Sequence, residues 1–594
     1  MDRGRKTGSP AGRNNRPGNA QRQTSNNTPN RQERADDDAL FPTDDLNKGT
    51  KSLPFLAHAS SDIMLMGRCF SAYTPPLDHR NEKNDRSLAA RIYQFFFRGS
   101  SDPTNENATS PQGPTETSPL LGSSNSRPNV SGDSVEAQLG EIIDEVGVTW
   151  QHEIKTLSGY AAPLIVTFFL QYMIDISSVI AVGRIGKLEL GAVSLANMSA
   201  SISCFAVYQG LATSLDTLCA QAYGSGNKHL VGLYCQRMTL FLLCLSIPIA
   251  ILWLNSEYII MKLVNDADIA RLASSYLHVL IFALPGYASF EVGKRFLQAQ
   301  GLFQATTYVL LIGAPFNALL QWILVWKLEL GFFGAPLSVV ITRTLLPILL
   351  VLYVVLFKGS QCWGGFSRRA FSNWWIMIRL ALPGMIMIEA EWLAFEILTV
   401  ISSRFGTEYL AAQSILIAVT TISYQVPFPV SIAASTRVAR LIGAGRVSDA
   451  KVAARVAVAA SCSCTFINFM MYLKFQEQLP FIFTDDEAVA ALVTMTLPLV
   501  GLTTFFDGLG VAAHGLLRGI GKQSIGGPAN LVAYYVVSLP LALYFGFALD
   551  LKIQGLWMGS TIGLIVVSII EYTYLLIIDW RKCVVEAMAR NAAG

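Results

Sequence analysis

The chain is 594 residues long and 52% hydrophobic, with a mean hydropathy of +0.39 and a formal net charge of only +3. So small a charge argues against a nucleic-acid partner. The cysteines follow no metal-ligand spacing, so Cys204, Cys219, Cys235, Cys244, Cys462 and Cys464 read as small packing residues in or beside apolar stretches.

Residues 1–145 are rich in Arg, Asn, Asp, Ser, Thr, Gly and Pro, with little that can form a core, and read as a disordered cytosolic tail. The first 50 residues lack an apolar h-region, so no cleavable signal peptide is expected. Within the tail, Glu116-Thr-Ser-Pro-Leu120-Leu121 fits the acidic dileucine pattern that sorting adaptors read for delivery to vacuoles or lysosomes. Near its end, Asp133-Ser-Val-Glu136 resembles a capping box. It opens a short amphipathic helix, with Leu139, Ile142, Ile143 and Val146 on the side facing the membrane surface.

From Tyr160 to Asp579 the chain is a succession of apolar stretches near the ~20 residues that cross a bilayer. Twelve spans are predicted, near 159–182, 189–214, 237–255, 271–293, 305–327, 335–357, 376–402, 409–432, 452–473, 488–514, 527–548 and 555–579. The fold class expected is an all-α polytopic membrane protein with twelve transmembrane helices in two pseudo-symmetric six-helix lobes. The lobes are assigned to 146–358 and 376–580, with a cytosolic linker at 359–375 and a short cytosolic tail at 581–594.

The two-lobe expectation comes from an internal repeat. Pro163 matches Pro383, YGSG (Tyr223 to Gly226) matches IGAG (Ile442 to Gly445), and FLQAQG (Phe296 to Gly301) matches LLRGIG (Leu516 to Gly521). Pro315 and Asn317 match Pro528 and Asn530, and Gly334 matches Gly555. Six is even, so both halves enter the bilayer in the same orientation, and substrate is expected between them. Lysine and arginine concentrate on the side of the amino terminus, in loops holding Lys228, Lys294, Arg295, Arg368, Arg369, Arg437 and Arg440, which places both termini in the cytosol. The sequons at Asn107 and Asn129 then stay unglycosylated.

Span seven carries three carboxylates, Glu389, Glu391 and Glu396, with no lysine or arginine among them. Each ionised acid near a bilayer midplane costs about 2.5–3.5 kcal/mol even on a lenient insertion scale. Such residues face a cavity or bind protons, because burial and a neighbouring carboxylate both disfavour ionisation. At about 100° per residue Glu389, Trp392 and Glu396 share one helical face, whereas Glu391 lies about 140° from Glu396. Either the cavity wraps around this helix, or the helix is distorted near Pro383-Gly384.

Five blocks carry a family resemblance: LDTLCAQAYGSGN (Leu215 to Asn227) with Gln236-Arg237, FLQAQG, EWLAFE (Glu391 to Glu396), AASTRVARLIGAG (Ala433 to Gly445), and LLRGIGKQ with the NLVAYYVVSLP that follows. Together they resemble the eukaryotic, fungal-type multidrug and toxic compound extrusion (MATE) transporters over about residues 150–580. The resemblance implies exchange of small organic, chiefly cationic, solutes for protons or sodium, with no cofactor. It carries coupling and substrate binding onto Glu391, Glu396 and Asp507, and places Gln171, Asn530, Tyr534 and Tyr535 along the cavity. Glu389 has no counterpart in the family block. Asp175 lies about one turn before the position where bacterial members carry a cation-site aspartate, here Ser178. The further acid that some animal members have in span eight is replaced by Ala418.

Asp216 ends span two, where capping or a salt bridge is expected, and Arg237 and Arg437 read as gate or anchoring charges. Glu291 precedes Lys294 and Arg295 by one turn, the spacing of local neutralisation. His514 reads as a polar residue near a helix end. Trp392, Phe395, Phe505, Phe506 and Tyr534 offer rings on which a cation can stack. No nucleotide-binding loop, nucleophile triad or metal-spaced cluster appears, so an enzyme is not expected and energy must come from an ion gradient. The expectation is a proton-coupled antiporter of xenobiotics, with the vacuolar membrane favoured over the plasma membrane and sodium coupling left open. The rivals are a flippase for lipid-linked substrates and a membrane scaffold or receptor that uses the tail as its partner surface.

Overall fold

The computed structural model describes residues 149–262 and 266–593; the dileucine motif at Glu116, Leu120 and Leu121, the capping box and both sequons lie outside them. No strand occurs among the described residues, which form long helices joined by short turns. In the first half these are α1 (Trp150–Gly183), α2 (Lys187–Gly224), α3 (Lys228–Leu254), α4 (Ala267–Ala299), α5 (Phe303–Lys327) and α6 (Gly331–Leu356). In the second half α7 (Trp374–Ser402) is followed by α8 (Thr407–Gly443), α9 (Val447–Phe475), α10 (Glu487–Ile520), α11 (Gln523–Ala548) and α12 (Lys552–Ile577). A short α13 (Trp580–Ala593) ends the described chain. Eleven of these helices are long and apolar enough to cross a bilayer. Helix α7 matches them in length at 29 residues but carries Arg379 as well as its three carboxylates.

Several helices exceed the expected spans, and the largest extensions lie at one end of the molecule. Helix α1 starts at Trp150 rather than near 159, α2 runs on to Gly224, α8 to Gly443 and α10 to Ile520. We call this the basic end. The added turns are invisible to hydropathy because they bury polar side chains against neighbouring helices.

The repeat is present in the backbone. Helices α2 and α8 close on left-handed glycines Gly226 and Gly445, at φ 84° and 75°, and α4 and α10 on Gly301 and Gly521, at φ 80° and 75°. An L-residue with a Cβ resists that region, which is why glycine recurs at these four stops. Gly334 and Gly555 form another equivalent pair, where a Cβ would meet backbone of the preceding helix at 2.7 and 2.5 Å.

The hydrogen bonds that join the lobes cluster at the basic end. Thr217 Oγ1 donates to the Arg518 carbonyl at 2.5 Å, Gln221 Nε2 to the Gly519 carbonyl at 3.1 Å, and Gln523 Nε2 to Thr217 Oγ1 at 2.8 Å. Deeper in, Gly210 of α2 lies so close to α7 that a Cβ would fall 2.7 Å from Met385 Cα. Helix α13 adds Arg590 Nη2 to Gln221 Oε1 at 3.0 Å and Asn591 Nδ2 to Ser225 Oγ at 3.0 Å. The two halves are therefore zipped together at the end where α1 begins.

Candidate functional site

In the first lobe the charged residues neutralise one another. The i, i+3, i+4 spacing of Glu291, Lys294 and Arg295 puts all three on one face of α4. Lys294 Nζ lies 2.5 Å from Glu291 Oε1, Arg295 Nη1 3.6 Å from Glu291 Oε2, and Arg295 Nε 2.9 Å from Asp216 Oδ1 of α2. Two acids and two bases, all buried, balance to zero charge. Asp216 is thus held in an ion pair within its own lobe. Gln171 accepts from Lys294 Nζ at 3.1 Å and belongs to the same network. Removing one member strands its partner in a low-dielectric interior. Glu291→Ala is expected to cost about 3–5 kcal/mol, read as a large drop in the thermal unfolding midpoint in detergent; an unchanged midpoint would refute the network's structural role.

Asp175, one turn from the position of the bacterial cation-site aspartate, already has a cation in its own lobe. Its Oδ1 lies 2.5 Å from Arg343 Nη2 of α6, and the guanidinium sits 3.9 Å from the Phe205 ring centroid and 4.7 Å from that of Tyr287. The carboxylate already has a cation, itself held by two aromatic faces. Arg343 escaped the sequence reading, although a lone arginine in an apolar run is the same kind of signal as a lone acid.

Arg237 anchors the linker: its Nε donates to the Arg369 carbonyl at 3.4 Å. Neighbouring Gln236 grips the same segment through the Gly365 carbonyl at 2.8 Å and the Ser367 amide at 3.1 Å. Arg437 bridges the halves, donating from Nε and Nη2 along one guanidinium edge to both carboxylate oxygens of the buried Glu153 at the start of α1.

The second lobe differs. On α7 the buried residues Gly384, Met387, Ile388, Glu391, Ala394 and Leu398 recur at helical spacing, so Glu391 lies on the packed face. Glu389, Trp392 and Glu396 are half-buried on the remainder of the helix. The separation expected from spacing is real, and α7 runs on through Pro383 without ending. Asp507 of α10, half-buried, reaches the same interior and comes close enough to Glu391 for the two carboxyl groups to interact. Two carboxyl groups brought together can hydrogen-bond to each other only when one of them carries a proton. Among the described residues no lysine or arginine forms an ion pair with Glu389, Glu391, Glu396 or Asp507.

Glycine and π-helical turns make room for this arrangement. A Cβ on Gly508, beside Asp507, would fall 2.0 Å from Thr465 Cγ2 of α9. Helix α11 widens into π-helical geometry over Val532–Ser538, the segment that carries Tyr534 and Tyr535. Tyr534 is 1% exposed and its hydroxyl has no partner, beside the carboxyl pair. Tyr535 is half-buried and faces Glu389, while Asn530 is fully buried between α10 and α12. Phe505 and Phe506 meet edge to face at 5.5 Å between centroids. Of the three acids grouped by the resemblance, the structure brings Glu391 and Asp507 together and leaves Glu396 more than a helical turn away on a different face.

Sequence reasoning also missed Glu571. It lies in α12, fully buried, with His514 Nε2 3.3 Å from its Oε1. His514 is accordingly a buried partner rather than a helix-end residue.

Comparison with known proteins agrees with this architecture. The MatE family model matches residues 163–323 and 383–544, one match per lobe, each beginning at one of the paired prolines. A Saccharomyces cerevisiae protein described as an uncharacterized transporter is 42% identical over 74% of this chain, which spans 64% of that relative's length. Human multidrug and toxin extrusion protein 1 is 32% identical over 74% of this chain and 77% of its own. Among solved structures, the eukaryotic MATE transporter AtDTX14 superimposes with a TM-score of 0.72 at 29% identity, covering 74% of this chain and 99% of its own. The bent form of the Vibrio cholerae MATE transporter VcmN shares the fold, with a TM-score of 0.64 at 16% identity over 74% of this chain and 99% of its own. This chain belongs to the multidrug and toxic compound extrusion (MATE) family of membrane transporters.

Proposed function

We propose that the protein is a proton-coupled antiporter that exports small organic cations by alternating access. The observation that carries this reading is the Glu391–Asp507 pair, a buried glutamate and a half-buried aspartate brought together with no lysine or arginine in an ion pair with either among the described residues. Fully ionised, the pair attracts a cation; protonated, it has less to offer one. Protons and solute therefore compete for a single site, and each drives the other's release. Glu396 and Glu389, half-buried on the same helix, supply further negative charge, and Trp392 and Tyr535 supply aromatic surface.

In this reading the basic end faces the cytosol, with both termini on that side, so the arrangement described is closed to the cytosol. The other side is the acidic one, a vacuolar lumen by preference or otherwise the cell exterior. The tail motif at Glu116, Leu120 and Leu121 would then recruit the adaptor that delivers the protein there. A flippase of similar architecture would want a cavity of positive charge for anionic headgroups, whereas the charges beside Glu391 on α7 and at Asp507 of α10 are acids.

The test is reconstitution into proteoliposomes with radiolabelled tetraethylammonium as the probe. A pH gradient alone, acid on the trans side, is expected to drive accumulation, and a sodium gradient alone is not. Accumulation driven by sodium and indifferent to pH would overturn the proton assignment.

A further inference from the structure

A second buried acid lies closer to the basic end than the carboxyl pair. Glu571 of α12 is 0% exposed, and its Oε1 accepts from Asn530 Nδ2 of α11 at 3.3 Å and faces His514 Nε2 of α10 at 3.3 Å. Its other oxygen is enclosed without a partner, as is Asn530 Oδ1. Space for the carboxylate comes from Gly526, where a Cβ would lie 3.1 Å from Glu571 Oε1.

His514 Nε2 has an unusual choice of neighbours. It lies 3.3 Å from an acceptor, Glu571 Oε1, and 3.1 Å from a donor, Asn530 Nδ2. With a proton on Nε2, the ring donates to Glu571. Without one, the same nitrogen accepts from Asn530. With or without a proton, this nitrogen thus finds a hydrogen-bond partner without movement of the backbone.

The groups facing this cluster come from every helix around it. Glu391 of α7 and Asp507 of α10 are its acidic neighbours, with Tyr534 of α11 and Tyr572 of α12 beside Glu571. The nearby cation is Arg518 of α10, which donates Nη2 to Ser431 Oγ of α8 at 2.8 Å and forms no ion pair with Glu571. Arg518 therefore lies near the cluster as a positive charge without itself holding the carboxylate. Seven residues separate Asp507 from His514, about 10 Å along the helix axis.

We propose that Glu571, His514 and Asn530 form a second proton-binding site, emptied together with the Glu391–Asp507 pair when a cationic solute binds, so that each solute exchanges for more than one proton. This rests on the proton-coupled reading above. The step is a simple deprotonation. The incoming cation raises the local positive potential, the N–H bond of the imidazolium (or the O–H bond of Glu571) breaks, and the proton passes to water. The electron pair stays on the nitrogen or oxygen it leaves.

The test is the ratio of protons released to tetraethylammonium bound, read with a pH dye in weakly buffered detergent solution. The wild type should give a ratio above one, and Glu571→Gln and His514→Gln should each lower it to one. Substrate–substrate counterflow, which moves no net protons, should stay within about twofold of wild type in both variants and thereby show that they fold. Glu571→Asp, which keeps the acid, should restore the higher ratio. A wild-type ratio of one or less overturns the proposal, as does an unchanged ratio in the folded variants. Glu389, Glu396 and both carboxyl groups of the pair can also release protons, so the comparison of the folded variants with wild type, not the wild-type ratio alone, carries the assignment. Failure of the coupling itself looks different: wild-type vesicles would then show no pH-driven uptake at all.

Discussion

Glu391→Gln is expected to reduce pH-driven accumulation of an organic cation by at least about a hundredfold while leaving the protein folded. The fold should survive because glutamine keeps the shape of glutamate and its amide can donate to the neighbouring Asp507 carboxylate. What disappears is the exchangeable proton. One unit of differential proton affinity is worth about 1.4 kcal/mol, so removing a site that discriminates by about two units forfeits a factor of about a hundred. Asp507→Asn should do the same. The double variant should be little worse than either, because the two residues act on one proton and their effects cannot add. Measurement of uptake in proteoliposomes at matched protein density decides it. Full proton-driven transport in both single variants would remove the pair from the mechanism.

Much of this was legible in the sequence, because a bilayer leaves few choices. Backbone groups in lipid must bond internally, so apolar runs of spanning length have to be helices. The lobes followed from glycines and prolines whose roles are local: Gly226, Gly301, Gly445 and Gly521 stop helices in a left-handed conformation, and a local requirement leaves a local mark. The helix ends were misjudged where burial against protein replaces burial in lipid, as in α8, whose last turns up to Gly443 are buried despite Arg437 and Arg440 nearby.

The site was legible only in part. Spacing on a single helix put Glu389 with Glu396 and set Glu391 apart, which the buried face of α7 bears out. Spacing alone cannot say which face meets α10. Only the packing of α7 against the rest of its lobe selects Glu391 as the partner of Asp507. The cation partner of Asp175, Arg343, was invisible for the same reason: it lies 168 residues away in sequence. Glu571 had a plain signal, a carboxylate between Ile570 and Tyr572 in the last span, but its meaning depends on His514 and Asn530, which reach it from two other helices.

Replacing Gly224 and Gly443 together by alanine is expected to force the basic end open. These residues occupy equivalent places in the two repeats, in YGSG and IGAG, and each meets the backbone of the other's helix. A Cβ on Gly224 would lie 2.1 Å from the Arg440 carbonyl oxygen, and one on Gly443 would lie 2.1 Å from that of Gln221. Neither obstacle is a flexible side chain, so α2 and α8 must part. Parting also breaks the bonds from Thr217 and Gln221 to the carbonyls of Arg518 and Gly519. Overpacking costs about 1–3 kcal/mol per site in a core that can relax, and two such sites approach the ~5.5 kcal/mol that inverts a 99:1 population. Thr217 is fully buried at this junction. On a background lacking reactive native thiols, a Thr217→Cys reporter should react with a polar maleimide at least about tenfold faster in the alanine pair than in its absence, the response to roughly 1.4 kcal/mol of shifted equilibrium. Solute binding at Glu391 and Asp507 should persist, because no part of that site touches either glycine, whereas accumulation should collapse because the protein can no longer close this end. An unchanged labelling rate would show that these two glycines do not hold the gate.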